Sequence, residues 1–184
     1  SIAHKGLLLA AKVMAATAFD LFEQPEVLAS AKAEFKKLNR HGYVCKLVST
    51  GKCSDGKFRA YVQPTLFTAQ EPESVVPTNY NLITLVGNTS GRQSFFGQGA
   101  GRYPTAYNVV QDLVDVLAGK GFYAPYGGKV SADNSETMRW YVRGNWAGEV
   151  EETWGNAVVT KAVSVAEMHA WIKQNPDAFV AAIR

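Results

Sequence analysis

The stretch Gly97-Gln98-Gly99-Ala100-Gly101-Arg102-Tyr103-Pro104-Thr105-Ala106 constrains this chain more than any other. Three glycines within five residues permit positive φ and let another group approach the backbone closely. Pro104 suits the first turn of a helix, where its missing N–H costs nothing. Val109, Val110, Leu113, Val114 and Leu117 follow at helical spacing and predict a helix with one buried face. Upstream, Leu82-Ile83-Thr84-Leu85-Val86 reads as a strand, Asn88-Thr89-Ser90-Gly91 as a hairpin loop, and Arg92 to Phe96 as a second strand. From Asn81 to Leu117 the chain is therefore a hairpin, a glycine loop and a helix. Such a loop presents free N–H groups and the positive end of a helix dipole.

The loop is not the dinucleotide fingerprint G-x-G-x-x-G. Counted from Gly97, the last glycine position is Arg102, and no acidic residue follows at the spacing a ribose contact requires. On its residues alone it is a tight strand-to-helix turn.

The pattern Gly-x-Gly-Ala-Gly-x-x-Pro-Thr-Ala, followed by an apolar helix containing Asp112, resembles the C-terminal signature of homoserine dehydrogenases. Gly42-Tyr43-Val44-Cys45-Lys46-Leu47 resembles that family's strand entry, and Pro64-Thr65-Leu66 its Pro-Thr-Leu element. Asn81 stands where the family has an asparagine at the start of the next strand. The resemblance covers about residues 40–184. It implies hydride transfer between NAD(P) and C4 of homoserine or aspartate semialdehyde, in threonine and methionine biosynthesis. It implies that Gly101 approaches the nicotinamide cofactor, with Gly97, Gly99 and Ala100 shaping the loop and Thr105 capping or donating. The catalytic lysine and the substrate-binding acids of the family have no counterpart here, so no catalytic residue is assigned and the chain alone is expected to be an inactive fragment. A homodimer through the sheet, and a cofactor-binding half supplied from elsewhere, are the implied partners.

A second resemblance lies at the start. Ser1-Ile2-Ala3-His4-Lys5-Gly6, an alanine-rich helix, and Pro25-Glu26-Val27-Leu28-Ala29-Ser30-Ala31-Lys32-Ala33-Glu34-Phe35 resemble the C-terminal tail of zinc amidohydrolases of the aminobenzoyl-glutamate utilisation type. His4 falls at a metal-ligand position of that family, but one ligand holds no metal, and no metal site is assigned. Two family tails abutting near Lys37-Leu38-Asn39-Arg40 suggest a fused or chimeric reading frame.

Composition sets the outer limits. The chain has 184 residues, 47% of them hydrophobic and 19% charged, as in a soluble globular protein. Its net charge of +3 comes without a basic cluster, which disfavours nucleic acid. The apolar run Gly6 to Phe22 contains Lys12 and Asp20 and is too short for a membrane span. It also lacks the features of a signal peptide. Cys45 and Cys53 form no disulfide framework or zinc motif, although they could flank a hairpin. A reduced, cytoplasmic setting is expected.

Residues 1–37 predict two helices broken at Gln24-Pro25, the second with Val27, Leu28, Ala31 and Phe35 on one face. Residues 42–68 predict a hairpin turning at Asp55-Gly56 and ending at Pro64, with Lys46 facing solvent. Residues 119–135 predict a loop. In the tail, Met138 to Arg143 and Ala157 to Val163 predict strands. Ser164 and Glu167 form a capping box for a helix carrying Val165, Met168, Trp171 and Ile172, with His169 at a surface or interface. This tail resembles the short extra tail of some monofunctional homoserine dehydrogenases; no effector is assigned to it. The expected fold is α+β: a mostly antiparallel sheet of about four or five strands, helices on one face and a small αβ tail. The expected segments are a helical stretch (1–37), the sheet and glycine-loop helix (38–118), and a linker with the small tail (119–184).

Overall fold

A computed structural model describes residue 12 and residues 15–54, 56–120 and 131–184. His4 and the aromatic loop around Gly127-Gly128 lie outside these residues. The chain forms two compact units, residues 1–44 and 45–184.

In the first unit, residues 15–23 are helical (α1), the helix breaks at Gln24, and α2 runs Pro25–Arg40 with the proline in its first turn. Lys37 and Arg40 sit in its last turn, where cations suit the dipole. The face that carries Val27, Leu28 and Phe35 is exposed, and Leu38 is the buried residue of the helix.

The second unit is built on a seven-stranded sheet. Strands β1 (Tyr43–Ser54), β2 (Lys57–Thr68), β5 (Thr137–Arg143), β6 (Val150–Trp154), β7 (Ala157–Thr160), β8 (Val163–Ser164) and β9 (Phe179–Ile183) take part. The order is β1-β2-β9-β5-β7-β6, with β8 pairing on β5. Strands β3 (Tyr80–Gly87) and β4 (Gly91–Gln98) form a separate two-stranded sheet. The expected single sheet of four or five strands is thus corrected. The reason is β9: this C-terminal run inserts beside β2, parallel to it, with Thr65 opposite Ala182 and Leu66 opposite Ile183. It takes the edge that the next strand in sequence would have used. β9 is antiparallel to β5 on its other side, so the sheet is mixed.

β2 continues through Pro64 to Thr68 and does not end at the proline. Its register with β9 begins at Thr65, one residue beyond, so the missing N–H interrupts no bond of that ladder. The early half of the same strand is paired by residues 131–134. Asn134 imitates a strand there, its Oδ1 accepting from the Ala60 amide and its Nδ2 donating to the Ala60 carbonyl, both at 3.2 Å. Cys45 and Cys53 both lie on β1 rather than across a turn, and both are free thiols. Partial burial pushes the Cys45 thiol up despite the Thr65 backbone and Lys46 beside it. Lys46 is not a solvent-facing cation: its Nζ donates to the Val76 carbonyl at 2.8 Å.

The core centres on β5, where Trp140, Tyr141 and Val142 are fully buried. Alternation sends Trp140 and Val142 to the face covered by helix α4 (Val165–Gln174), against Val165, Met168, Val180 and Ala182. The serine half of the capping box forms as expected, with the Glu167 amide donating to Ser164 Oγ at 3.1 Å. His169, expected at a surface or interface, is half-buried and ties α4 to β2. Its Nε2 lies 3.0 Å from Oε1 of buried Gln63 on β2, and its ring meets Trp140 edge-on.

Candidate functional site: the glycine loop

β3 and β4 are in register from Tyr80–Gln98 to Gly87–Gly91, and Tyr80 stacks on Phe96 at 4.8 Å between centroids. The hairpin delivers the chain to residues 99–101, and helix α3 (Arg102–Leu117) starts directly after them. A residue outside the expected set shapes this loop. Thr78, at φ +37°, turns the chain so that Asn79 faces residues 99–100. The Asn79 carbonyl accepts from the Gly99 amide at 3.0 Å and the Ala100 amide at 3.4 Å. The Asn79 side-chain Nδ2 donates to the Ala100 carbonyl at 2.7 Å, and Thr78 Oγ1 fixes the amide by donating to Asn79 Oδ1. The sequence signal for this is the Pro77-Thr78-Asn79 run, whose proline and asparagine favour a turn.

The three glycines do different jobs. A Cβ at Gly99 would overlap the Asn81 side-chain amide, so that glycine serves internal packing. A Cβ at Gly97 would meet nothing within 4 Å. Gly101 sits at φ +125°, ψ 158°, a conformation that L side chains resist, and is the N-cap of α3. With no side chain to cap the helix, it leaves the first-turn amides without a side-chain acceptor. Thr105 does not cap; its amide donates to the Gly101 carbonyl at 3.1 Å. The Arg102 guanidinium lies 5.6 Å from the Tyr103 ring centroid.

The expected buried face of α3 is also corrected. Val109, Val110, Leu113, Val114 and Leu117 are 51–79% exposed, and no residue of the helix is buried. The spacing is helical, but no described residue covers that face. Among the described residues no group of three or more His, Cys, Asp and Glu side chains converges to hold a metal. No described helix is long and apolar enough to cross a membrane.

The homoserine dehydrogenase family profile matches residues 1–114. The chain belongs to the homoserine dehydrogenase family. The match takes in residues 1–37, so the helical segment read as an amidohydrolase tail lies inside it, as does the join expected near Lys37. The chain is 40% identical over 78 residues to a homoserine dehydrogenase of Bacillus subtilis, covering 42% of this chain and 18% of that protein. It is 31% identical over 137 residues to one of Mycobacterium leprae, covering 68% and 30%. Among solved structures, a homoserine dehydrogenase from Thiobacillus denitrificans matches with a TM-score of 0.60 at 18% identity, covering 83% of this chain and 45% of the other. That likeness shows a shared fold. The chain thus spans under a third of the length of these curated relatives and under half of that solved chain.

Proposed function

We propose that this chain contributes one wall of a homoserine dehydrogenase, an oxidoreductase of amino-acid biosynthesis that interconverts homoserine and aspartate semialdehyde with NAD(P). The supporting observation is the glycine-capped start of α3, carried on a hairpin within the family match. Gly97 leaves room for close approach, and Gly101 presents uncapped amides and the positive helix end to a negatively charged group. Gly97, Ala100 and Gly101 would line the cofactor, while Gly99 and Thr105 hold the loop's shape. When bound, NAD(P) supplies the hydride acceptor or donor. The chain's own part is to orient the cofactor and exclude water, and positioning of this kind removes a large share of a hydride-transfer barrier. The catalytic acid–base groups are assigned to none of its residues.

The test is homoserine oxidation by the purified chain, followed as absorbance of the reduced cofactor, together with NADPH titration followed by amide NMR. Absence of turnover with shifts confined to Gly97, Ala100 and Gly101 supports the reading. Turnover by the chain alone would sink the assignment of its residues as non-catalytic. Shifts that avoid the loop would sink the loop's role.

A non-catalytic dimerisation module is the second reading. It is favoured by the open apolar hairpin face, where paired Ile83 and Phe95 are 61% and 57% exposed. A stable dimer that ignores both NADP and homoserine would select it.

A further inference from the structure

The β3–β4 hairpin carries the glycine loop, yet it shares no ladder with the main sheet. Nor does it contribute to the hydrophobic cluster beneath α4. An isolated two-stranded hairpin is marginal in water, so its attitude must be fixed by side-chain ties. Those ties converge on one carboxylate. Glu73 lies in the 3-10 turn Pro72–Val75, its side chain 13% exposed. Its Oε1 accepts from Arg92 Nη2 of β4 at 2.6 Å and from Thr84 Oγ1 of β3 at 3.2 Å. It also accepts from Arg184 Nη1, just past β9, at 3.4 Å. Oε2 is buried with no partner among the described residues, so these donors carry the charge through one oxygen.

Arg184 is itself anchored. Its backbone amide donates to the Leu66 carbonyl at 3.4 Å, its guanidinium lies over the Phe67 ring, and its Nε pairs with Glu71 at 3.6 Å. Glu71 in turn accepts from the Thr68 amide at 2.8 Å at the end of β2. A continuous path therefore runs from β2 and β9 through Arg184 and Glu73 to both strands of the hairpin.

We infer that Glu73 is a positioning residue, the joint that holds the hairpin, and with it the glycine loop, at a fixed attitude to the main sheet. Charge-assisted bonds suit the task because they are stronger and more directional than neutral ones. The consequence for catalysis rests on the cofactor reading of the loop; the joint itself does not.

The test is amide hydrogen exchange on the full chain, comparing Glu73→Gln, Arg92→Gln, Arg184→Gln and the Glu73→Gln/Arg92→Gln pair. Glu73→Gln is expected to speed exchange across residues 80–98 by about tenfold while β5 and β7 stay protected. Arg184→Gln should loosen the hairpin in the same pattern, although it sits on the main sheet. The double variant should loosen it no further than Glu73→Gln alone, because both residues act through one joint. Unchanged exchange in the hairpin, equal loosening of β5 and β7, or additive effects would each overturn the inference. Failure of the cofactor reading would show separately, as no NADPH-induced shift at Gly97 or Gly101 of the unaltered chain.

Discussion

Asn79 grips Ala100 from two sides, its carbonyl accepting from the Ala100 amide at 3.4 Å and its side-chain Nδ2 donating to the Ala100 carbonyl at 2.7 Å. Asn79→Ala removes the second bond and keeps the first. The expected loss is about 1 kcal/mol, confined to the loop, because the freed carbonyl can turn to water. Exchange at Ala100 and Gly101 should rise while the urea midpoint of the whole chain scarcely moves.

Gly99→Ala should be more damaging, since the new Cβ overlaps the Asn81 amide. An overpacked site of this kind costs about 1–3 kcal/mol. Adding Asn81→Gly should recover most of the loss in urea denaturation, which identifies Asn81 as the obstacle.

Ser164→Ala deletes the acceptor for the Glu167 amide at the start of α4. About 1 kcal/mol of stability should go. A thermal melt checks it, and Ser164→Asp should restore the cap.

His169 gives a pH dependence. Partial burial first, and then Lys173, hold its pKa below the ordinary value. The unfolded chain therefore binds the proton more readily, and stability from the neutral ring is present above the ordinary histidine pKa of about 6.5. It is lost as pH falls from there through the lower folded value. A urea series between neutral and mildly acid pH should show this slope, and His169→Gln should flatten it. His169→Ala should instead cost about 1–3 kcal/mol at neutral pH by stranding buried Gln63 Oε1.

The open face of α3 predicts a neutral outcome. Val110 is 59% and Leu117 79% exposed, so Val110→Gln with Leu117→Gln should shift stability by no more than about 0.5 kcal/mol per site. Binding of a fluorescent apolar dye should fall at the same time. A large drop in melting temperature would mean that this face is covered in solution.

Local chemistry was legible in the residues. Helix α2 opens at Pro25, the hairpin turns at Asn88 to Gly91, Ser164 caps α4, and Gly101 leads into α3. Each depends on neighbours a few residues away, through a fixed φ, a positive φ or a side-chain cap. The family signature was legible for the same reason, because it lies in one contiguous loop and helix. The amidohydrolase resemblance misled because alanine-rich helices with lysine and glutamate look alike whatever they belong to.

What the residues could not declare was pairing at long range. Ala178 to Ile183 is a short apolar run at the end of the chain, and nothing in it names β2 as a neighbour. Yet β9 lies between β2 and β5, makes the sheet mixed and leaves β3–β4 on their own. Strand order is settled by which edges compete for the same partner, and that competition exists only once the chain is folded. The same holds for Glu73, Asn79 and His169. Their residue types are ordinary, and their roles come from groups between 11 and 111 positions away that the tertiary structure brings within hydrogen-bond reach.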